Sequence, residues 1–254
     1  MSFFEAAAIL LAGIAAGGIN TIVGSGTLIT FPTLLAFGIP PVTANVSNNI
    51  GLVPGSITGA IGYRRELAGQ RSRILRLVSA SLVGGLAGAL LLLVLPDGAF
   101  AAVVPVLILL GVTLVIFQPR LSRWVARRAV ERGTHERDAA WWVWPAVLLT
   151  GVYGGYFGAA QGVLLMAVLG IGIDDSLQRL NGAKNVLAAV VNGVAGLLFV
   201  FVADVDWRIV GLIGVGAVIG GLLGARVGRR LPQPVLRVFI VVVGLAALAV
   251  FLLD

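Results

Sequence analysis

Long apolar segments separated by short polar turns constrain the fold of this chain more than any other feature. A helix needs about 20 residues to cross the roughly 30 Å hydrocarbon core of a bilayer. Six segments reach that length without interruption: 42–63, 77–95, 99–118, 178–203, 208–230 and 235–253. Runs such as 82–95 also lack the alternation of an outer-membrane strand. These segments predict an all-α polytopic membrane protein.

The composition indicates the same class. Of the 254 residues, 59% are hydrophobic and 11% are charged, and the mean hydropathy is +1.04. A soluble domain carries about 25% charged residues. This composition excludes an ordinary soluble enzyme, a disordered chain and a secreted domain. The chain has no cysteine and one histidine, His135, so we expect no metal and no cofactor.

Two further apolar regions are interrupted near their middle. Residues 3–38 are broken at 17–26, and residues 141–172 are broken at 154–162, in both cases by glycine-rich stretches. The flanking pieces run to roughly 15 residues, which as helix is about 22 Å and short for a full crossing. Each region is therefore predicted to be a hairpin of two half-helices.

The chain also repeats itself. The stretch 45–49 matches 181–185, and 84–89 matches 220–225, both at an offset of 136 residues. Gly26 and Gly162 keep the same offset. We predict a first repeat at 1–118, a basic cytoplasmic linker at 119–140 and a second repeat at 141–254. Each repeat is a broken-helix hairpin plus three transmembrane helices, giving about 8 full or 10 total membrane segments.

The charged residues indicate how the repeats are oriented. Of the 18 basic residues, fifteen fall in the stretches 64–76, 120–137 and 226–237. Arginine-rich short loops stay in the cytoplasm, so these loops are predicted inside and the turns 38–41, 96–98 and 204–206 outside. Because each half has an odd number of segments, this arrangement requires inverted repeats. Both termini are then outside, and the acidic turn at 174–175 is the one loop whose charge disagrees.

The arginine loops also indicate which partners the chain has. They lack the interleaved aromatic residues of a nucleic-acid site, so we expect them to contact anionic lipid head groups rather than nucleic acid. A homodimer is left open.

Broken helices in matching positions of inverted repeats are typical of transporters that bind their substrate at the repeat interface. The second arms begin near Ser25-Gly26 and Gln161-Gly162, with Ser25 as the expected N-cap. Two such N-termini would form an anion site, because each carries unpaired N–H groups and a partial positive charge.

Polar side chains at helical spacing on the next helix of each repeat complete the candidate site. Lys184 is the only lysine and has no acidic residue within the spans to pair with, so it is expected to meet an anion. Two alternatives remain: the asparagines bond to neighbouring helices, and Lys184 extends to the membrane surface. The predicted substrate-binding residues are Asn20, Ser25, Gly26, Asn45, Asn48, Asn49, Gln161, Gly162, Asn181, Lys184, Asn185 and Asn192.

Paired motifs give the chain a resemblance to a known family. The stretches 17–26, 45–49 and 62–65 of the first half, with 153–159 and 181–185 of the second, resemble the TauE/SafE sulfite exporter family. The resemblance implies a bacterial inner-membrane transporter of sulfur-containing anions such as sulfite and organosulfonates. Family members often carry Gly-Ala-Gly-Gly-Gly where this chain has Gly-Ala-Ala-Gln-Gly at 158–162, which gives Gln161 a role in substrate choice.

The residues thus predict a secondary transporter of a small anion. The resemblance implies that this transporter is an exporter, whereas the residues alone leave both export and import open. An anion-selective channel would use the same site and stays open as an alternative. An intramembrane enzyme is disfavoured, because a metalloprotease needs a histidine pair and a serine protease needs a base beside its serine. A receptor would need a soluble domain to report a signal.

Overall fold

The computed structural model describes residues 1–132, 139–227 and 233–253, and it is helical in all three ranges. Within them lie ten helices: α1 (Phe3–Ile22), α2 (Thr27–Ala36), α3 (Pro41–Gly62), α4 (Arg71–Val94), α5 (Asp97–Arg132), α6 (Val143–Tyr156), α7 (Gln161–Gly172), α8 (Leu177–Val202), α9 (Trp207–Val227) and α10 (Gln233–Leu253). Parts of the predicted linker and of the third arginine stretch, 133–138 and 228–232, lie outside the described residues.

Among the described helices, five are both long and apolar enough to cross a membrane: α1, α4, α8, α9 and the part of α5 at Gly98–Trp124. Helix α3 has 22 residues, but its polar face lowers its hydropathy. Shorter apolar helices, α2 and α7 among them, accompany these spans. The predicted all-α polytopic membrane fold is confirmed.

Helix α5 is longer than its predicted span. Its 36 residues measure about 54 Å at 1.5 Å per residue, far more than the hydrocarbon core. The helix continues through Pro119 to Arg132, so residues 119–132 of the predicted linker form an extension of this helix.

The helix breaks are shorter than predicted. The first lies at 23–26 and the second at 157–160, while the glycines before each break remain helical. Gly17 lies against the Ala217 backbone of α9, and Gly155 lies against the Gly85 carbonyl of α4. These glycines allow close helix packing, which their sequence spacing could not distinguish from a break. As a result α1 has 20 residues, and the expected arm of roughly 15 is wrong there.

The helix contacts have the same pattern in the two halves of the chain. The contact of α1 with α9 corresponds to the contact of α6 with α4. In the same way, the contact of α2 with α10 corresponds to that of α7 with α5. Helices α3 and α8, one from each half, contact each other. Glycine pairs mediate the closest contacts, since Gly84 and Gly88 face carbonyl groups of α6, while Gly220 and Gly224 face those of α1. These four glycines thus allow the close packing of α4 on α6 and of α9 on α1. The repeat boundaries themselves stay a prediction.

The loops group by position along the bundle. The carboxylate of Asp175 forms ion pairs with the guanidinium groups of Arg73 and Arg179, and the N–O distance is 2.8 Å in each. The pair with Arg73 joins the acidic turn at 174–175 to the first arginine loop. The first arginine loop follows the C-terminal end of α3. Near the N-terminal end of α3, the backbone N–H of Asp206 donates to the Ser47 hydroxyl over 3.0 Å. The one acidic turn that disagreed in charge therefore lies beside arginines that neutralise it.

Candidate functional site

The two helix breaks meet inside the bundle. The N–H of Gly162, at the start of α7, donates to the carbonyl of Gly24 in the first break over 3.0 Å. Gly24 has a φ of 89°, and a side chain on either glycine would overlap the backbone of the other. In the second break, Ala160 adopts a left-handed backbone conformation with a φ of 61° and is the N-cap residue of α7. The structure thus brings the first break into contact with the start of α7, and glycines at 24 and 162 permit this close approach.

A buried polar cavity of about 20 Å³ lies beside this junction. A space of this size holds on the order of one water molecule. The end of α1, both breaks, α3 and α8 all contribute to its wall. The lining residues are Asn20, Thr21, Gly24, Thr27, Ser56, Gly158, Gln161, Gly162, Lys184, Asn185, Ala188 and Asn192.

Lys184 is fully buried in this wall. Its Nζ donates to the carbonyls of Asn20 and Thr21, at 3.0 and 3.2 Å. These carbonyls belong to the last turn of α1, which carries a partial negative charge and lacks helical partners. The ammonium group therefore already has protein acceptors, and its third N–H remains for another group. The alternative in which Lys184 extends to the membrane surface is wrong.

The Thr21 carbonyl also accepts from the side-chain amides of Asn181 and Asn185, both at 3.3 Å. Three donors of α8 thus hold the end of α1. Asn185 lines the cavity, whereas Asn181 does not.

Asn20 stabilises the start of α2 from the last turn of α1. Its Oδ1 accepts from the N–H of Gly26 over 2.6 Å. Gly26 is the N-cap residue of α2 and lacks a side-chain cap, so the expected capping role of Ser25 is wrong. The local turn instead directs Ser25 inward, and its buried hydroxyl has no partner within the described structure.

Gln161 starts α7 and is 3% exposed. Its Nε2 has no hydrogen-bond partner among the described residues, although the side chain lines the cavity. A buried amide without a partner costs about 1–3 kcal/mol. A polar ligand in the cavity would recover that free energy.

The polar face of α3 lies mostly outside the cavity wall. Asn48 bonds to Thr27 and Thr30 of α2, and Asn45 donates to the Tyr156 carbonyl over 2.9 Å. The buried Oδ1 of Asn49 has no partner in the described ranges. Asn45 and Asn48 therefore hold both hairpins in place, as the alternative of bonds between helices predicts for them.

An aromatic cluster fixes the second break from the other side. Phe157 packs edge-on against Phe31 with ring centroids 5.1 Å apart, and Phe100 contacts both Tyr156 and Phe157. Edge-to-face rings are a favourable geometry. Rings of α2 and α5 thus hold the break in addition to the hydrogen bonds of its own turn.

Six of the twelve predicted residues line the cavity: Asn20, Gln161, Gly162, Lys184, Asn185 and Asn192. The prediction missed Thr21, Gly24, Thr27, Ser56, Gly158 and Ala188, which complete the wall. Ser56 and Ala188 continue the polar faces of α3 and α8, so helical spacing was the signal that could have included them. Thr21 and Thr27 flank the first break.

These features define a class of protein: a polytopic helical membrane protein whose broken helices enclose a polar cavity between two similar halves. The family model for sulfite exporter TauE/SafE matches residues 9–251, and the chain belongs to this family. The resemblance seen in the paired motifs is confirmed.

Curated relatives carry matching descriptions. The "probable membrane transporter protein YfcA" of Escherichia coli K12 is 28% identical over 248 residues, covering 94% of this chain and 86% of the relative. The "probable membrane transporter protein ORF9" of a Sinorhizobium species is 27% identical, covering 100% and 95%. A Haemophilus influenzae "probable membrane transporter protein" is 23% identical, covering 95% and 92%. The chain is a multi-pass membrane transporter.

Proposed function

We propose that this transporter exports a small sulfur-containing anion, such as sulfite or an organosulfonate, across the cytoplasmic membrane. The carrying observation is the cavity where the first break meets the start of α7, whose wall includes the buried ammonium of Lys184 and the unpartnered amide of Gln161. The description of the family as sulfite exporters supports the choice of anion.

The chemistry of the wall suits an oxyanion. Lys184 has an N–H beyond the two that bind carbonyls, and Gln161 offers two amide N–H groups. The start of α7 adds a partial positive charge. Sulfite and sulfonate groups each present three oxygen acceptors, so several of these donors can bind one ion at once.

The size of the cavity supports alternating access. The cavity of about 20 Å³ holds on the order of one water molecule, so we propose that the site widens at the junction of the two breaks when the anion binds. The hydrogen bond from Gly162 to Gly24 is the contact that would have to open. A permanently open channel would instead need a continuous water-filled path through this junction.

An arginine-lined pocket supports a cytoplasmic position for the end of the bundle that carries the first arginine loop. A cavity of about 280 Å³ lies there, lined by Arg64, Arg65, Glu66 and Arg226 with two small residues. Three arginines and one glutamate give this pocket a net positive charge. Such a pocket suits the phosphate of an anionic lipid. With this end inside, both termini lie outside.

Purified protein provides the first test. Sulfite, thiosulfate, sulfoacetate and taurine should raise the melting temperature in a concentration-dependent way if they bind, because a ligand stabilises the state that it binds. Chloride and acetate at equal ionic strength serve as controls. If none of the sulfur anions shifts the melting temperature more than these salts, the proposed substrate class is wrong.

Proteoliposomes separate a transporter from a channel. Vesicles loaded with unlabelled sulfite should take up external radiolabelled sulfite faster than empty vesicles, because an alternating-access carrier exchanges its substrate. A channel would show no such acceleration and would give single-channel currents in planar bilayers.

A further inference from the structure

Gln161 lines the candidate site, and its side chain is closely surrounded. The residue is 3% exposed, lies at the start of α7 and lines a cavity of only about 20 Å³. Gly154, which precedes the second break, has its Cα against the amide of Gln161, so that any side chain at 154 would overlap it. The side chain therefore fills space that the Gly154 backbone leaves open.

We propose that Gln161 selects compact sulfur oxyanions, chiefly sulfite, over organosulfonates that carry a carbon tail. The inference rests on the proposed function and names the substrate class within it. The side chain has two roles: its amide N–H donates to the anion, and its bulk excludes the tail.

The first role follows from hydrogen bonding. Within the described structure the Nε2 of Gln161 is buried and has no partner, whereas Lys184 already binds two carbonyls and Asn192 already donates to Ser56. Gln161 is thus a wall residue whose buried side-chain donor is wholly available among the described residues. Because a buried donor without a partner is costly, an oxyanion beside it gains a bond that the empty site lacks.

The second role follows from volume. Sulfite is one sulfur atom with three oxygens, whereas sulfoacetate and taurine carry two additional carbons and a polar end group. Those atoms need a second space next to the oxygen site. Gln161 fills the space between the start of α7 and Gly154, where a glycine at position 161 would leave it open.

Two variants separate the roles. Gln161→Gly removes both donor and bulk, and Gln161→Met keeps similar bulk without the donor. Binding of sulfite, methanesulfonate, sulfoacetate and taurine to detergent-purified protein is measured by thermal shift and calorimetry. Val163→Ala is the matched control, because Val163 is buried in the same half-helix but does not line the cavity.

In the wild-type protein sulfite should bind at least about tenfold more tightly than sulfoacetate. Gln161→Met should weaken sulfite binding by about tenfold or more, as for a lost bond to a charged group, and should still exclude sulfoacetate. Gln161→Gly should weaken sulfite binding and strengthen sulfoacetate binding, so that their ratio approaches one. Val163→Ala should keep the wild-type ratio.

The proposal is overturned if wild-type protein binds sulfoacetate as tightly as sulfite, or if Gln161→Gly keeps the wild-type ratio. Both outcomes leave the proposed function intact, since sulfur anions still bind. If wild-type protein binds none of the four anions, the proposed function fails and the inference fails with it.

Discussion

Asn192 donates its side-chain amide to the hydroxyl of Ser56 over 3.2 Å, and the two residues are 136 positions apart. This separation equals the sequence offset that relates 45–49 to 181–185. Equivalent positions of two repeats contact each other directly only near the axis that relates them. The bond therefore lies close to the pseudo-two-fold axis expected for inverted repeats, and both residues line the cavity.

The Ser56–Asn192 bond should couple the two halves of the site. Ser56→Ala and Asn192→Ala should each destabilise the protein by about 1 kcal/mol, as for a typical buried hydrogen bond. In a double-mutant cycle the two changes should show a coupling energy of about 0.5–1.5 kcal/mol. Chemical denaturation in mixed micelles measures it. Strictly additive changes would show that the contact does not contribute to stability.

Lys184→Gln should abolish anion binding while the protein still folds. Glutamine can keep one donor for the carbonyls of Asn20 and Thr21 but has no charge. We expect a loss of stability of about 1–3 kcal/mol and no thermal shift with sulfite. The control is Arg179→Gln on the same helix, at the loop and outside the cavity wall. Wild-type sulfite affinity in Lys184→Gln would exclude Lys184 from the site.

Gly24→Ala should be far more damaging than Gly38→Ala. Both glycines have positive φ, at 89° and 73°, so each alanine costs roughly 1–2 kcal/mol of backbone strain. Space around Gly38 is open, whereas a side chain at Gly24 overlaps Gly162. Gly24→Ala should therefore stop sulfite exchange in proteoliposomes, and Gly38→Ala should keep most of it. Equal activities would show that the breaks need not touch during transport.

Single cysteine substitutions can test the orientation, because the natural chain contains no cysteine. Ser72→Cys is placed in the first arginine loop region and Asp204→Cys in the turn before α9, and both positions are exposed. An impermeant maleimide added to intact cells should label the Asp204→Cys variant but not the Ser72→Cys variant. The opposite labelling would reverse the proposed topology.

The arginine pocket should bind anionic lipid. Replacing Arg64, Arg65 and Arg226 together by glutamine should reduce the stabilisation that phosphatidylglycerol or cardiolipin gives over phosphatidylcholine, as measured by thermal shift. Replacing Arg120, Arg123 and Arg127, which lie outside this pocket, is the matched control because it also removes three positive charges. An equal effect of both variants would indicate general surface charge rather than a pocket.

Much of the fold followed from local properties. Apolar length located most of the helices to within a few residues, because a bilayer crossing sets a minimum length. Helices α4 and α5 are exceptions, since α4 begins before the predicted 77 and α5 continues beyond the predicted 118. The interruptions were correctly placed in 3–38 and 141–172, but their extents were not. Gly17 and Gly155 were assigned to breaks and are helical, because a glycine that permits close packing and one that ends a helix look alike in sequence.

In the candidate site, too, the sequence predicted which residues are polar but not which of them line the cavity. The polar faces of α3 and α8 were visible in their spacing, yet Asn45 and Asn48 bind neighbouring elements whereas Asn192 and Lys184 reach the cavity. Whether a polar side chain bonds to a neighbouring helix or lines the cavity depends on which element packs opposite it. The spacing of residues along one helix does not contain that information.

The sequence by itself therefore determined the class, most of the helices and part of the set of buried polar residues, since each depends on composition and spacing along the chain. Only the tertiary structure decided how these residues are used. It placed the Lys184 ammonium on the carbonyls that end α1, and it left the amide of Gln161 without a partner in the described chain. The reason is physical: hydrogen-bond satisfaction in a buried site depends on distances between helices, and packing alone sets those distances.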